Sequence, residues 1–158
     1  MMRCDAQYYW CRLDISSRPE NAAVVRRAVE RLAIEAGLTP AETDDLDLAV
    51  TEACANAIRH GSPEKEQSTV RVTFFLAPEC VLVEVHDQGP GFTEGSRRAP
   101  AAGELREGGY GLHIMRQLMD DVEIIWHRGT TVRLVKQRVP ESAPRVSGRA
   151  ARPIPAFV

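Results

Sequence analysis

Residues 88–109 hold six glycines and two prolines and show no apolar periodicity, and this segment divides whatever the chain folds into. Glycine and proline in that density break helices and strands alike. The regular elements must therefore form before residue 88 and after residue 109 and pack together across the gap. An irregular connection this long is uncommon inside a compact domain, and where it occurs it is functional or disordered. A chain of 158 residues is expected to form one domain with a core of ordinary size.

On the N-terminal side, residues 7–15 place Tyr9, Cys11, Leu13 and Ile15 at period two, which predicts a strand. Ser17-Arg18-Pro19-Glu20 has the form of a capping box, and Val25, Val29, Leu32 and Ala36 recur at helical spacing behind it, predicting a helix over 19–36. Thr39-Pro40-Ala41-Glu42 repeats the device ahead of Leu46, Val50, Ala53 and Ala57, and Gly61-Ser62-Pro63 ends this second helix. Two strand-like runs, 69–76 and 81–86, follow around Ala77-Pro78-Glu79-Cys80, which has turn composition. Beyond the glycine-rich segment, 111–119 reads as a helix, and 122–126 and 131–135 read as a closing strand pair. The order predicts an α+β fold of two layers, a mixed and mainly antiparallel sheet with its helices on one face. Proline, serine and arginine dominate after Pro140, so 138–158 reads as a disordered tail on a domain of residues 1–137.

Composition excludes several classes. With 44% hydrophobic and 27% charged residues the chain is neither fibrous nor wholly disordered. A net charge of -2 argues against direct nucleic-acid binding as the main activity. No apolar run approaches the roughly 20 residues that span a bilayer, and no signal peptide is recognised, so a cytoplasmic location without membrane attachment is expected. Cys4, Cys11, Cys54 and Cys80 form no C-x-x-C pair and read as buried thiols.

Four short patterns carry chemistry. Glu52 and Asn56 are one turn apart on the second helix, with His60 continuing the line. An amide oxygen there suits Mg²⁺, and a carboxylate suits removal of a proton from a hydroxyl; a solvated helix face has the same appearance. Asp87-Gln88-Gly89-Pro90-Gly91 follows a strand, so its carboxylate can accept from an exocyclic amine, or the stretch is simply a tight turn. Gly108-Gly109-Tyr110-Gly111-Leu112 opens a helix whose free N–H groups suit phosphate, or it is a glycine hinge. Gly129-Thr130-Thr131 between two strands is by itself a plain turn.

Taken in order, the four resemble the ATP-binding domain shared by gyrase, histidine kinases and MutL, over about residues 7–137. Glu52-Ala53-Cys54-Ala55-Asn56-Ala57-Ile58-Arg59-His60-Gly61 is similar to its N box, Asp87 to Gly91 to its G1 box, Gly109-Tyr110-Gly111-Leu112 to its G2 box, and Gly129-Thr130 to its last motif. The short form and Gly111-Leu112-His113-Ile114-Met115 are most similar to bacterial anti-sigma factor serine/threonine kinases. The resemblance implies the two-layer Bergerat fold, with ATP and Mg²⁺ as cofactors. Asn56 is then the Mg²⁺ ligand, and Asp87 reads the adenine amino group with Thr130. His60, Gly89, Gly91, Gly109, Tyr110, Gly111 and Leu112 complete the nucleotide site, under a lid running from Gly91 to Gly109. Glu52 is implied as the general base. An arginine often stands two residues before the first glycine of the G2 core, where this chain has Glu107, and Arg106 beside it is the implied partner of the γ-phosphate. The implied function is phosphorylation of an anti-sigma factor antagonist of STAS type, sequestration of a sigma factor, and a homodimer. A nucleotide-gated binding regulator without turnover, or the ATPase module of a larger signalling assembly, remains an alternative.

Overall fold

The computed structural model describes residues 9–90 and 110–138. Five strands, β1 (Tyr9–Ser16), β2 (Thr69–Leu76), β3 (Cys80–His86), β4 (Asp121–Trp126) and β5 (Thr130–Gln137), form one sheet in the order β1-β2-β3-β5-β4. Every pairing is antiparallel. The sequence order left room for a mixed sheet, but β5 enters beside β3 with its direction reversed, so no parallel pair arises among the described strands. Three α-helices, α1 (Ala22–Ala36), α2 (Pro40–His60) and α3 (Tyr110–Leu118), accompany the sheet among the described residues.

Strand alternation builds the interface between the layers. Leu13, Val72, Val85, Val132 and Ile124 stand side by side across all five strands, and Cys11, Phe74, Val83, Leu134 and Val122 form the next row. Val72, Val83 and Leu134 are fully buried, in one core cluster with Val29 of α1, Leu46, Val50 and Cys54 of α2 and Met115 of α3. The intervening row, Arg12, Thr73, Glu84, Arg133 and Glu123, occupies the opposite face. There Arg133 lies 2.8 Å from both Glu84 and Glu123.

The caps explain how the helices are set. Thr39 and Glu42 close a reciprocal capping box, with Glu42 Oε2 accepting from the Thr39 N–H at 2.8 Å, and Pro40 occupies the first turn. The box expected at Ser17–Glu20 does not form. The Ser17 N–H is drawn to the Ser68 carbonyl at 2.9 Å, and its hydroxyl pairs with that of Ser62. Residues Pro19–Asn21 therefore make a single 3-10 turn, and α1 starts only at Ala22. Arg138, assigned from sequence to the tail, hydrogen-bonds through its N–H to the Glu79 carbonyl at 2.8 Å, and so belongs with the β2–β3 turn; the remainder of the expected tail lies outside the described residues. Cys11 and Cys54 are free thiols. Cys80 is disulfide-bonded, contrary to the expectation of buried thiols alone, because distances along the chain do not report proximity in the fold.

Candidate functional site

Asp87 leaves the end of β3 and is buried, as is Thr130 at the start of β5. The pairing of these strands brings the two together from 43 positions apart: Asp87 N–H donates to the Thr130 carbonyl at 2.9 Å, and Thr130 N–H returns a bond to Asp87 Oδ1 at 3.1 Å. Gly89 N–H adds a second donor to Oδ1 at 2.9 Å. Two backbone donors on one oxygen fix the carboxylate, and no other hydrogen bond to it forms among the described residues. Oδ2 is thus the atom left for a donor brought by a ligand.

Backbone supplies the walls. A Cβ on Gly61 would stand 2.1 Å from Asp87 Cγ, so the end of α2 lies directly against the carboxylate. Gln88 N–H donates to the Gly61 carbonyl at 3.2 Å and holds that approach. Gly129 has φ of 116°, outside the range L side chains favour, and a Cβ there would fall 1.9 Å from the Asp87 carbonyl oxygen. The sequence marks Gly61 as a helix stop and as the last residue of the N-box-like stretch, but not as a wall against Asp87.

The second cluster lies farther back along α2. Glu52 and Asn56 are half-buried, whereas His60 at the helix end is exposed. Gly111 is buried at the start of α3, and a Cβ on it would come within 2.2 Å of Glu52 Oε1. Tyr110 is 52% exposed, and Leu112 packs against the core. Glu52 and Gly61 are nine residues apart on one helix, a rise of about 13 Å. That spacing resembles the reach of an extended nucleoside triphosphate from exocyclic amine to terminal phosphate. The N-terminus of α3, whose first N–H groups have no acceptor within the helix itself, stands at the Glu52 end, where it can meet phosphate. Gly91, Gly109 and Arg106, together with the other arginines of the expected lid, lie outside the described residues.

Among the described residues no cluster of three or more His, Cys, Asp and Glu is arranged to hold a metal. The donor set still suits Mg²⁺ bound in its usual manner, with one or two protein oxygens and the remainder from phosphate and water. Cys54, inside the same helical pattern, is no part of this chemistry, because burial pushes its thiol up to about 12.

The histidine kinase-like ATPase domain family matches residues 15–136. The chain belongs to that family. Within it, the chain is 31% identical to the serine-protein kinase RsbW of Bacillus subtilis (strain 168), over 85% of this chain and 88% of the relative. It is 29% identical to the RsbW of Listeria monocytogenes serovar 1/2a, over 85% of this chain and 94% of that one. The solved RsbU and RsbW domains of Rv1364c from Mycobacterium tuberculosis share the fold with a TM-score of 0.61 at 21% identity, covering 82% of this chain and 33% of that longer one. The histidine kinase domain of the Erythrobacter litoralis EL346 blue-light activated kinase superposes with a TM-score of 0.53 at 20% identity, over 73% of this chain and 59% of that one. No described helix is long and apolar enough to cross a membrane.

Proposed function

We propose that this member of the family is an ATP-dependent serine/threonine-protein kinase that acts as an anti-sigma factor, phosphorylating an anti-sigma factor antagonist of STAS type and sequestering a sigma factor. The observation that carries the reading is the pairing of two sites on one helix: α2 presents Gly61 to Asp87 at one end and Glu52 to Gly111 at the other. The similarity to RsbW serine-protein kinases over most of both chains supports it.

In this reading Asp87 Oδ2 accepts from the adenine amino group, held in place by the two N–H donors on Oδ1. Asn56 would hold Mg²⁺ through its amide oxygen, and the ion would supply neutralisation of phosphate charge. Glu52 accepts the proton of the incoming serine or threonine hydroxyl as that oxygen bonds to the γ-phosphorus and the bond to the ADP oxygen breaks. Such transfer asks mainly for positioning and charge neutralisation. Arg106 of the lid segment is assigned to the γ-phosphate, and the protein works as a cytoplasmic homodimer.

The test is calorimetric titration with ATP, with and without Mg²⁺, followed by radiolabel transfer to candidate antagonist proteins. The expected result is Mg²⁺-dependent binding with transfer to serine or threonine. Glu52→Gln keeps affinity within a fewfold and loses transfer, and Asn56→Ala weakens the Mg²⁺-dependent part of binding. Transfer that survives in Glu52→Gln removes Glu52 from the base role. Binding without transfer to any candidate favours a nucleotide-gated regulator.

A further inference from the structure

β4 ends in an aromatic side chain, Trp126. Its register sets Val122 opposite Leu134, Ile124 opposite Val132 and Trp126 opposite Thr130. Leu134 and Val132 are buried in the core beneath the helices, so strand alternation keeps Trp126 on that same helix side. Trp126 is nevertheless 45% exposed, at the end of the strand where Asp87 and Thr130 also lie. Thr130, its cross-strand neighbour, is the residue whose N–H holds Asp87 Oδ1. Directly opposed side chains start about 4.5–5.5 Å apart, which puts the indole within one side chain's reach of the carboxylate's surroundings.

We propose that Trp126 is a wall of the nucleotide site and stacks on the purine base whose amino group Asp87 reads, a reading that rests on the nucleotide site described above. The two residues divide the work. Asp87 tests one hydrogen-bond position on the base and sets its identity, whereas an indole face accepts any purine and sets affinity, because every base presents a π-face. The indole stands on the outer strand of the sheet and is 45% exposed beside the paired Asp87 and Thr130.

The chain has two tryptophans, so Trp10→Phe in the full-length protein leaves Trp126 as the sole indole reporter. ADP with Mg²⁺ is titrated into this protein, following heat and tryptophan emission together. The expected result is an emission change that saturates with the heat, a rise in Kd of about tenfold or more for Trp126→Ala, and a smaller rise for Trp126→Phe. ADP binding by heat with no change in Trp126 emission overturns the contact, even where Trp126→Ala binds more weakly. Unchanged affinity in both Trp126 variants overturns it as well. Should Trp126→Ala fail to fold, emission and Trp126→Phe decide the matter. Absence of heat with unmodified protein sinks the nucleotide reading itself, and this proposal with it.

Discussion

Gly111 leaves room for Glu52: a Cβ at position 111 would lie 2.2 Å from Glu52 Oε1, 2.8 Å from its Cδ and 2.9 Å from its Cγ. All three atoms belong to a flexible side chain that can swing aside, so the consequence falls on where the carboxylate points more than on the fold. Gly111→Ala is expected to keep the folded structure, since alanine also favours the helix by about 0.5–1 kcal/mol. Phosphoryl transfer should drop by about tenfold or more, because even a small misplacement of a reacting group is expensive. Melting curves and single-turnover transfer on the same preparation check this. Full transfer in the variant would show that the observed Glu52 position is not the working one.

Asp87 invites a change of base preference. In Asp87→Asn the shape is kept and one amide oxygen still accepts from Gly89 and Thr130, whose N–H groups lie 2.9 and 3.1 Å from Oδ1. The atom facing the ligand becomes a donor, which opposes an exocyclic amine and suits a 6-oxo group. ATP affinity is expected to fall by roughly 30-fold, about 2 kcal/mol, while inosine and guanosine triphosphates gain relative to ATP. Competition titrations measure the ratio, and an unaltered preference would exclude Asp87 from base reading.

Local rules were readable from sequence, and tertiary ones were not. The strand read at 69–76 matches β2, Thr69–Leu76, because alternation alone sets its faces. The Thr39 box closed as read, since its atoms come from four successive residues. The similar signature at Ser17 failed because Ser62, just beyond the C-terminal end of α2, claims the hydroxyl. Strand ends moved for a related reason: β5 runs Thr130–Gln137, beyond its apolar core, because pairing with β3 continues to Cys80 opposite Gln137. At the site, the motif order named Asp87 and Thr130. The placement of Gly61 against Asp87 depends on how α2 crosses the sheet, which periodicity does not encode.

Lys136 is a staple for the helix that opens at Gly111. Its Nζ donates to Asp45 Oδ2 at 3.0 Å and to the Leu118 carbonyl at 2.7 Å, joining β5 to α2 and to the last residue of α3. A cation there also suits the negative end of α3. Lys136→Met leaves a carboxylate and a helix-terminal carbonyl without that donor, and a loss of about 1–3 kcal/mol is expected. In a melt this appears as a lowering of Tm by about 2–12 °C. A variant as stable as the parent would mean that water replaces the ammonium at no loss.

Asp47 ties the stability of the fold to pH. Its Oδ2 stands 3.1 Å from Arg26 Nε, while its buried Oδ1 has no hydrogen-bond partner among the described residues. Burial is the main reason its carboxyl sits above the ordinary range; Arg26 opposes that shift, and Glu30 and Asp44 add to it. A raised value in the folded state means that the native chain takes up this proton more readily than the unfolded chain does. The resulting stabilisation is complete below the unfolded value, 3.8, and is lost as pH rises through the folded one. At pH 7 the ionised carboxylate is therefore a liability, and the Arg26 pair offsets little of it because the arginine side chain is 63% exposed. Asp47→Asn should be at least as stable as the parent at pH 7 in urea, with an advantage that shrinks as pH approaches 4 and the parent gains its proton. A variant less stable at pH 7, with the deficit removed by acid, would instead assign a net favourable energy to the Arg26–Asp47 pair.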